Sequence, residues 1–260
     1  MLAVHFMGAF QVTPSGSSFP SRFPSFSDII RSFAPGWFAA VMGSGVLALT
    51  THSLSGRWPL LSPVAYGLHA FNLLLFIVLA VPWLLRWLRF REAAMETLRH
   101  PVQASFYPTF AIAMLVIAAQ FLAIGGNVPM ALAFWWGGSV LVFLFSFAVL
   151  FHMFRGEHVG LEHVTPAKFI PAVGLVVIPV AGGPLLELQN GAVRELALLV
   201  NLLGLGAGTM MYLGLLGLTL QRKLLAKPAV GLLTPTAWIH LAPLGVIPVS
   251  LLNVLDQLPF

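Results

Sequence analysis

Cysteine is absent from this 260-residue sequence, and ionised residues are scarce. Without cysteine, the chain can form no disulfide bond, thiolate nucleophile or cysteine-ligated metal site. Asp, Glu, Lys and Arg together make up 8% of the residues, whereas a soluble domain usually carries about a quarter. So few charges leave too little polar surface for a soluble chain of this length. These shortages exclude an ordinary soluble domain and favour a membrane protein.

Hydrophobic residues make up 58% of the chain and fall into seven long runs. Each run reaches the ~20 residues needed to cross ~30 Å of hydrocarbon. Because the backbone must satisfy its own hydrogen bonds inside lipid, we expect each run to be a helix. The predicted spans 1 to 7, in chain order, are residues 35–54, 62–85, 106–124, 130–154, 167–186, 195–221 and 234–254. The connections between them are too short for a second soluble domain.

Positive charge is distributed unevenly among these connections. Of the 13 Lys and Arg residues, all but Arg57 and Arg194 lie in alternate connections. Cytoplasmic loops collect Lys and Arg, so this pattern predicts a multi-pass protein of the cell membrane with a cytoplasmic N-terminus and Phe260 outside. A seven-helix receptor would need the opposite orientation. The net charge of +5 follows from the loop bias, and the chain lacks the basic stripe that would predict nucleic-acid binding.

Residues 1–32 and 33–260 are predicted to be two different regions. The N-terminal region shows no secretory signal, and residues 11–27 are rich in Ser, Pro and Phe. We therefore expect residues 1–32 to be a mobile cytoplasmic tail and residues 33–260 to be the transmembrane domain.

The odd-numbered spans are marked by proline and glycine. Proline removes a backbone donor and kinks a helix, which membrane proteins tolerate where the freed carbonyl faces protein or a watery path. We interpret the odd spans as an inner, kinked ring and the even spans as an outer layer. Kinks that only aid packing are an equally weighted alternative. The candidate kink or pore-lining residues are Gly43, Pro108, Pro171, Pro179 and Pro243.

Ionised residues are missing from the middle of every span, which favours a passive pore or a weakly binding carrier over a proton-coupled pump. Arg86 and Glu195 lie at span ends, where we expect their side chains to snorkel to water. A haem would need His152 and His240 at one depth, but most such histidines are hydrogen-bonded interfacial residues. The loop residues Glu157, His158, Glu162 and His163 could ligate a metal, although a solvated loop is favoured. We therefore expect no cofactor, no metal and no enzyme activity.

Four segments resemble one family of transporters. They are residues 33–47 (FAPGWFAAVMGSGVL), 100–106 (HPVQASF), 166–174 (PAKFIPAVG) and 236–245 (TAWIHLAPLG). They are similar to the first helix, the segment leading into the third helix, the fifth helix and the seventh helix of the tellurite-resistance/dicarboxylate transporter family. This family includes the yeast malate permease, fungal sulfite efflux pumps and the plant slow anion channel.

The resemblance implies helical hairpins around a central pore, with the odd helices inside and Gly43 at the pore. It also implies a homotrimer in the lipid bilayer that transports small anions of the C4-dicarboxylate, sulfite, tellurite, halide or nitrate type. Family members have ten helices and this chain has seven, so we expect the transmembrane domain to be incomplete. The alternatives are an inactive fragment of such a transporter and, less favoured, a haem- or metal-binding membrane enzyme.

Overall fold

The computed structural model describes residues 25–100, 102–155, 165–225 and 238–258, and these ranges contain helices but no strands. The short helix Phe26–Ser32 (α1) precedes the first span, and Arg91–Arg99 (α4) connects the second span to the third. The remaining helices are Phe38–Ser55 (α2), Leu61–Arg89 (α3), Pro108–Ala123 (α5), Val128–Arg155 (α6), Ile170–Leu185 (α7), Gly191–Leu225 (α8) and Leu241–Leu255 (α9).

Seven of the described helices are long and apolar enough to cross a membrane, once the 3₁₀ turns that precede α2, α5, α7 and α9 are included. This confirms the predicted all-helical membrane fold and the number of spans. Helices α3 and α8 are longer than predicted, at 29 and 35 residues, because both continue into charged residues at their ends. Helix α4 was not predicted, since its sequence REAAMETLR is too polar and too short to be a span.

The helices form an inner arc with an outer layer behind it. Neighbours in the arc contact each other in the order α2, α5, α7, α9, and α3, α6 and α8 pack behind them as the second helices of hairpins. Helices α5 and α7 form the centre: 72% and 89% of their spans are buried, compared with 22% for α2 and 17% for α9. The arc is thus made of the odd-numbered spans, of which spans 3 and 5 are buried. Spans 1 and 7 lie at its ends and are no more buried than the even-numbered spans, at 22%, 33% and 28%.

Helix α1 lies within the segment that was expected to be a mobile tail. Ser25 and Asp28 form a capping box at its N-terminus, in which the Ser25 hydroxyl accepts from the Asp28 N–H and the Asp28 carboxylate accepts from the Ser25 N–H. The helix packs against α3 and α4. The tail prediction for residues 1–24 lies outside the described residues.

Candidate functional site

Helix α7 has two prolines in its interior, Pro179 and Pro184, and each removes a donor from the helical ladder. Pro184 leaves the Val180 carbonyl without its usual donor, and the Asn253 side chain of α9 donates to this carbonyl at 2.9 Å. The freed carbonyl is thus satisfied by protein, as it must be in an apolar environment.

Further carbonyls of α7 also accept hydrogen bonds from neighbouring helices. The Trp135 indole of α6 donates to the Ile178 carbonyl at 3.0 Å. The Ser250 hydroxyl of α9 donates to the Val176 carbonyl. Side chains of α6 and α9 therefore fix α7 from both sides and direct several of its carbonyls into protein.

Two glycines allow the close packing that these bonds require. A Cβ atom built on Gly183 would lie 2.7 Å from the backbone carbonyl carbon of Asn253. A Cβ atom on Gly204 of α8 would lie 2.8 Å from the Leu175 carbonyl oxygen, the acceptor that Pro179 deprives of its donor. Any larger residue would separate α7 from its neighbours, so these glycines serve close approach.

A buried network of polar side chains joins α2, α3 and α5. Gln120 accepts from the Asn72 amide at 3.2 Å, lies 3.2 Å from His69 Nδ1, and donates to the Gly45 carbonyl at 3.0 Å. Ser44 extends the network by donating to Asn72 Oδ1 at 2.6 Å. Asn72 and Gln120 are fully buried. Amides within apolar spans favour interhelical hydrogen bonds, but the sequence does not reveal which groups Asn72 and Gln120 bond to.

Gly43 lies on the side of α2 that faces away from this network. A Cβ atom on Gly45 would meet Asn72 and Gln120, whereas one on Gly43 would have no heavy atom within 4 Å. Two residues along a helix differ by about 200°, so the two glycines lie on nearly opposite faces. Gly43 is thus free of contacts at one end of the arc, and its role beside a pore stays a prediction.

The predicted kink residues occupy two kinds of position. Pro179 lies inside α7, where it interrupts the helical ladder. Pro108 and Pro171 lie in the first turns of α5 and α7, and Pro243 is the third residue of α9. A proline in the first turn removes no intrahelical bond, because the N–H it lacks would have no helical partner. The other interior prolines of α7 and α9 are Pro184 and Pro248.

Arg86 in the last turn of α3 is buried, with 6% of its surface exposed, and the expectation that it snorkels to water is wrong. Its guanidinium donates to the Phe33 carbonyl at 2.8 Å, the Ala93 carbonyl at 3.0 Å and the Thr97 hydroxyl at 2.6 Å. Helices α1 and α4 create this environment by covering the end of α3. The sequence does not reveal that α1 and α4 pack over the end of α3, so it contains no signal that Arg86 is buried.

Three of the histidines in the spans lie in separate environments. His69 belongs to the Gln120 network, His240 packs edge-on against the Phe169 ring at 4.5 Å, and His152 is exposed on α6. Within the described ranges, no group of three or more His, Asp or Glu side chains is arranged to hold a metal ion. The loop residues proposed as metal ligands, 157–163, lie outside the described residues.

Comparisons with known proteins identify relatives over most of the chain. The family model described as SLAC1, voltage-dependent anion channel, matches residues 32–260. Two uncharacterized transporters of Methanocaldococcus jannaschii are 45% and 42% identical over 90% and 89% of this chain, which covers 67% and 68% of their length. The sulfite efflux pump SSU1 of Arthroderma otae is 25% identical over 83% of this chain, which covers 60% of the pump.

Proposed function

We propose that this chain, which belongs to the SLAC1 voltage-dependent anion channel family, moves small anions passively along its inner arc of helices. The observation that carries the proposal is that the ionised residues lie in the helices of the outer layer and not in those of the inner arc. Helices α2, α5, α7 and α9 contain no Asp, Glu, Lys or Arg, whereas α3, α6 and α8 contain charged residues in their terminal turns.

An uncharged inner layer suits a weakly binding anion path. Cation pathways carry rings of acidic side chains, and proton-coupled carriers need a titrating group within the membrane. The backbone carbonyls that prolines free in α7 would repel anions if they faced the path. Protein covers both of them, because Asn253 donates to the Val180 carbonyl and Gly204 packs against the Leu175 carbonyl.

The substrate class that we propose first is the small inorganic oxyanion of the sulfite type, because a relative is named as a sulfite efflux pump. Nitrate, halide, tellurite and C4-dicarboxylate are the competing substrates. A path without a fixed charge selects by size and hydration, so we expect affinities on the order of millimolar.

Assembly and orientation complete the proposal. We propose a central pore bordered by α2 and α9 with Gly43 beside it, a homotrimer, and a cytoplasmic N-terminus with Phe260 outside. The charge asymmetry of the connections supports the orientation, and single cysteines at the exposed positions Arg91 and Asn190 test it in a chain that otherwise has none. An impermeant thiol reagent added to intact cells should label the cysteine at Asn190 and spare the one at Arg91.

Flux into proteoliposomes tests the transport function. Vesicles containing the chain should take up sulfite, nitrate or chloride faster than sodium or potassium, and faster than protein-free vesicles. Cation uptake that exceeds anion uptake would refute the proposal. Since the chain covers about two thirds of the length of the M. jannaschii transporters, an absence of all flux from folded protein would favour the alternative of an inactive fragment.

A further inference from the structure

Arg86 is a buried cation whose hydrogen-bond acceptors are all uncharged. The guanidinium has five N–H donors, and its bonds to Phe33, Ala93 and Thr97 use three of them. Nε is among the buried polar atoms that have no partner. Two donors are therefore unused, and within the described residues no carboxylate lies within 4 Å of the guanidinium. A buried charge without a counter-charge is costly, so the position favours a bound anion.

A cavity of about 380 Å³ adjoins Arg86 at the start of the first span. Ser32, Thr97 and Gln103 contribute polar side chains to its wall, and the wall contains no carboxylate. The wall also includes Ala34 and Gly36, where the 21-residue span begins. No side chain caps this start, and the Trp37 and Phe38 N–H groups donate to carbonyls of the same turn, so the Gly36 N–H and the positive end of the helix dipole are what the start offers to an anion.

We propose that this cavity binds one oxyanion of the sulfate or phosphate class, either free in solution or as the phosphate of a lipid headgroup. Arg86 supplies the charge, and the Gln103 side chain and the Gly36 N–H supply neutral donors. An oxyanion offers several acceptor oxygen atoms to these separate donors, and its hydrogen bond to the guanidinium is charge-assisted. The proposal concerns binding at equilibrium and does not depend on transport.

A neighbouring cavity of about 510 Å³ gives a useful contrast. It shares Arg86, Ser32, Thr97 and Gln103 with the first cavity but also includes Asp28 and Glu96 in its wall. These two carboxylates oppose an anion on that side. The carboxylate-free wall at the start of the span is therefore the side on which we expect the oxyanion to bind.

The test introduces a carboxylate into the cavity and leaves Arg86 and its three bonds unchanged. Gln103→Glu is nearly isosteric and places a negative charge where the anion would sit. Gln221→Glu makes the same substitution at an exposed position near the end of α8 and serves as the matched control. Sulfate binding to the full chain, purified in neutral detergent at constant ionic strength, is measured by calorimetry. We expect Gln103→Glu to weaken sulfate binding at least about tenfold and Gln221→Glu to leave it unchanged.

Ser32→Asp provides a second carboxylate from the opposite wall, in case Gln103→Glu disturbs the fold. Absence of saturable sulfate binding from lipid-free folded protein, or binding that both carboxylate variants leave unchanged, would overturn the proposal. Nanodiscs with and without phosphatidylglycerol distinguish the source of the anion. If a lipid phosphate occupies the cavity, the anionic lipid should weaken sulfate binding to the unmodified chain, and native mass spectrometry should show a retained lipid. If the ligand is a free oxyanion, sulfate should bind with the same affinity in nanodiscs with and without phosphatidylglycerol.

Discussion

Helices α7 and α9 approach so closely at Gly183 that we expect a single added methyl group to lower the free energy of unfolding substantially. In Gly183→Ala, the new Cβ atom would lie 2.7 Å from the Asn253 carbonyl carbon and 2.8 Å from the Asn253 Cβ atom. Real Cβ atoms essentially never approach other heavy atoms within 3.0 Å. The carbonyl carbon and oxygen of Asn253 both belong to the backbone, so no side-chain rotation can relieve the overlap. The two helices must move apart.

The cost of that movement has two parts. Overpacking of a closely packed contact typically costs 1–3 kcal/mol. Separation of the helices also stretches the Asn253 amide bond to the Val180 carbonyl, and interhelical hydrogen bonds in membranes are worth about 0.6 kcal/mol on average and up to about 1.7. We therefore expect Gly183→Ala to lower the free energy of unfolding by roughly 2–4 kcal/mol.

Gly245→Ala on α9 is the matched control, because a Cβ atom there would have no heavy atom within 4 Å. Its expected effect is neutral or stabilising by up to about 1 kcal/mol, from the higher helix propensity of alanine. Both variants would be unfolded in mixed micelles of increasing dodecyl sulfate content and followed by circular dichroism. If the two free energies of unfolding agree within about 0.5 kcal/mol, the close approach of α7 and α9 is refuted.

Three further predictions concern other parts of the molecule. Gln120→Met should lower the free energy of unfolding by roughly 1–4 kcal/mol because it leaves buried partners unpaired, whereas Thr50→Val on an exposed face should change it little in the same micelle assay. Gly43→Leu should reduce anion flux into proteoliposomes without changing that free energy, and normal flux would remove Gly43 from the path. Hydrogen bonds from the Ser25 hydroxyl and N–H lower the pKa of Asp28, so the capping box should stabilise α1 at neutral pH and be lost as the pH falls below about 4. Amide exchange across Phe26–Ser32 should show this acid loss, and Asp28→Asn should abolish it.

The layering of the helices could be predicted from sequence because it follows from local chemistry. Runs of about 20 apolar residues are long enough to identify each span without any tertiary information. Interior prolines such as Pro179 are tolerated only where neighbours can satisfy the freed carbonyl, so they favoured the inner layer. The sequence alone did not show that Pro108 and Pro171 lie in the first turns of their helices, because the position of a proline within a helix depends on where the first turn begins.

The partners of the buried polar groups could not be predicted, because they depend on contacts between residues far apart in the chain. Gln120 and Gly45 are 75 positions apart, and Arg86 and Phe33 are 53 apart. Arg86 in particular has the sequence context of a snorkelling residue at a span end. Its burial depends on α1 and α4, which are too short to show a clear sequence pattern.

The location of Arg86 suggests how such a molecule could favour anions without holding them. Conduction requires that an ion be attracted strongly enough to enter and bound weakly enough to leave. A cation in the middle of a span would satisfy the first requirement but oppose the second, because Coulomb attraction is strong where the dielectric is low. Arg86 instead lies at the end of α3, next to the start of the first span, and the four inner helices contain no ionised residue. On this reasoning, Arg86 would raise the anion concentration at one end of the inner arc, and the uncharged helices would leave the rest of the path without a strong binding site.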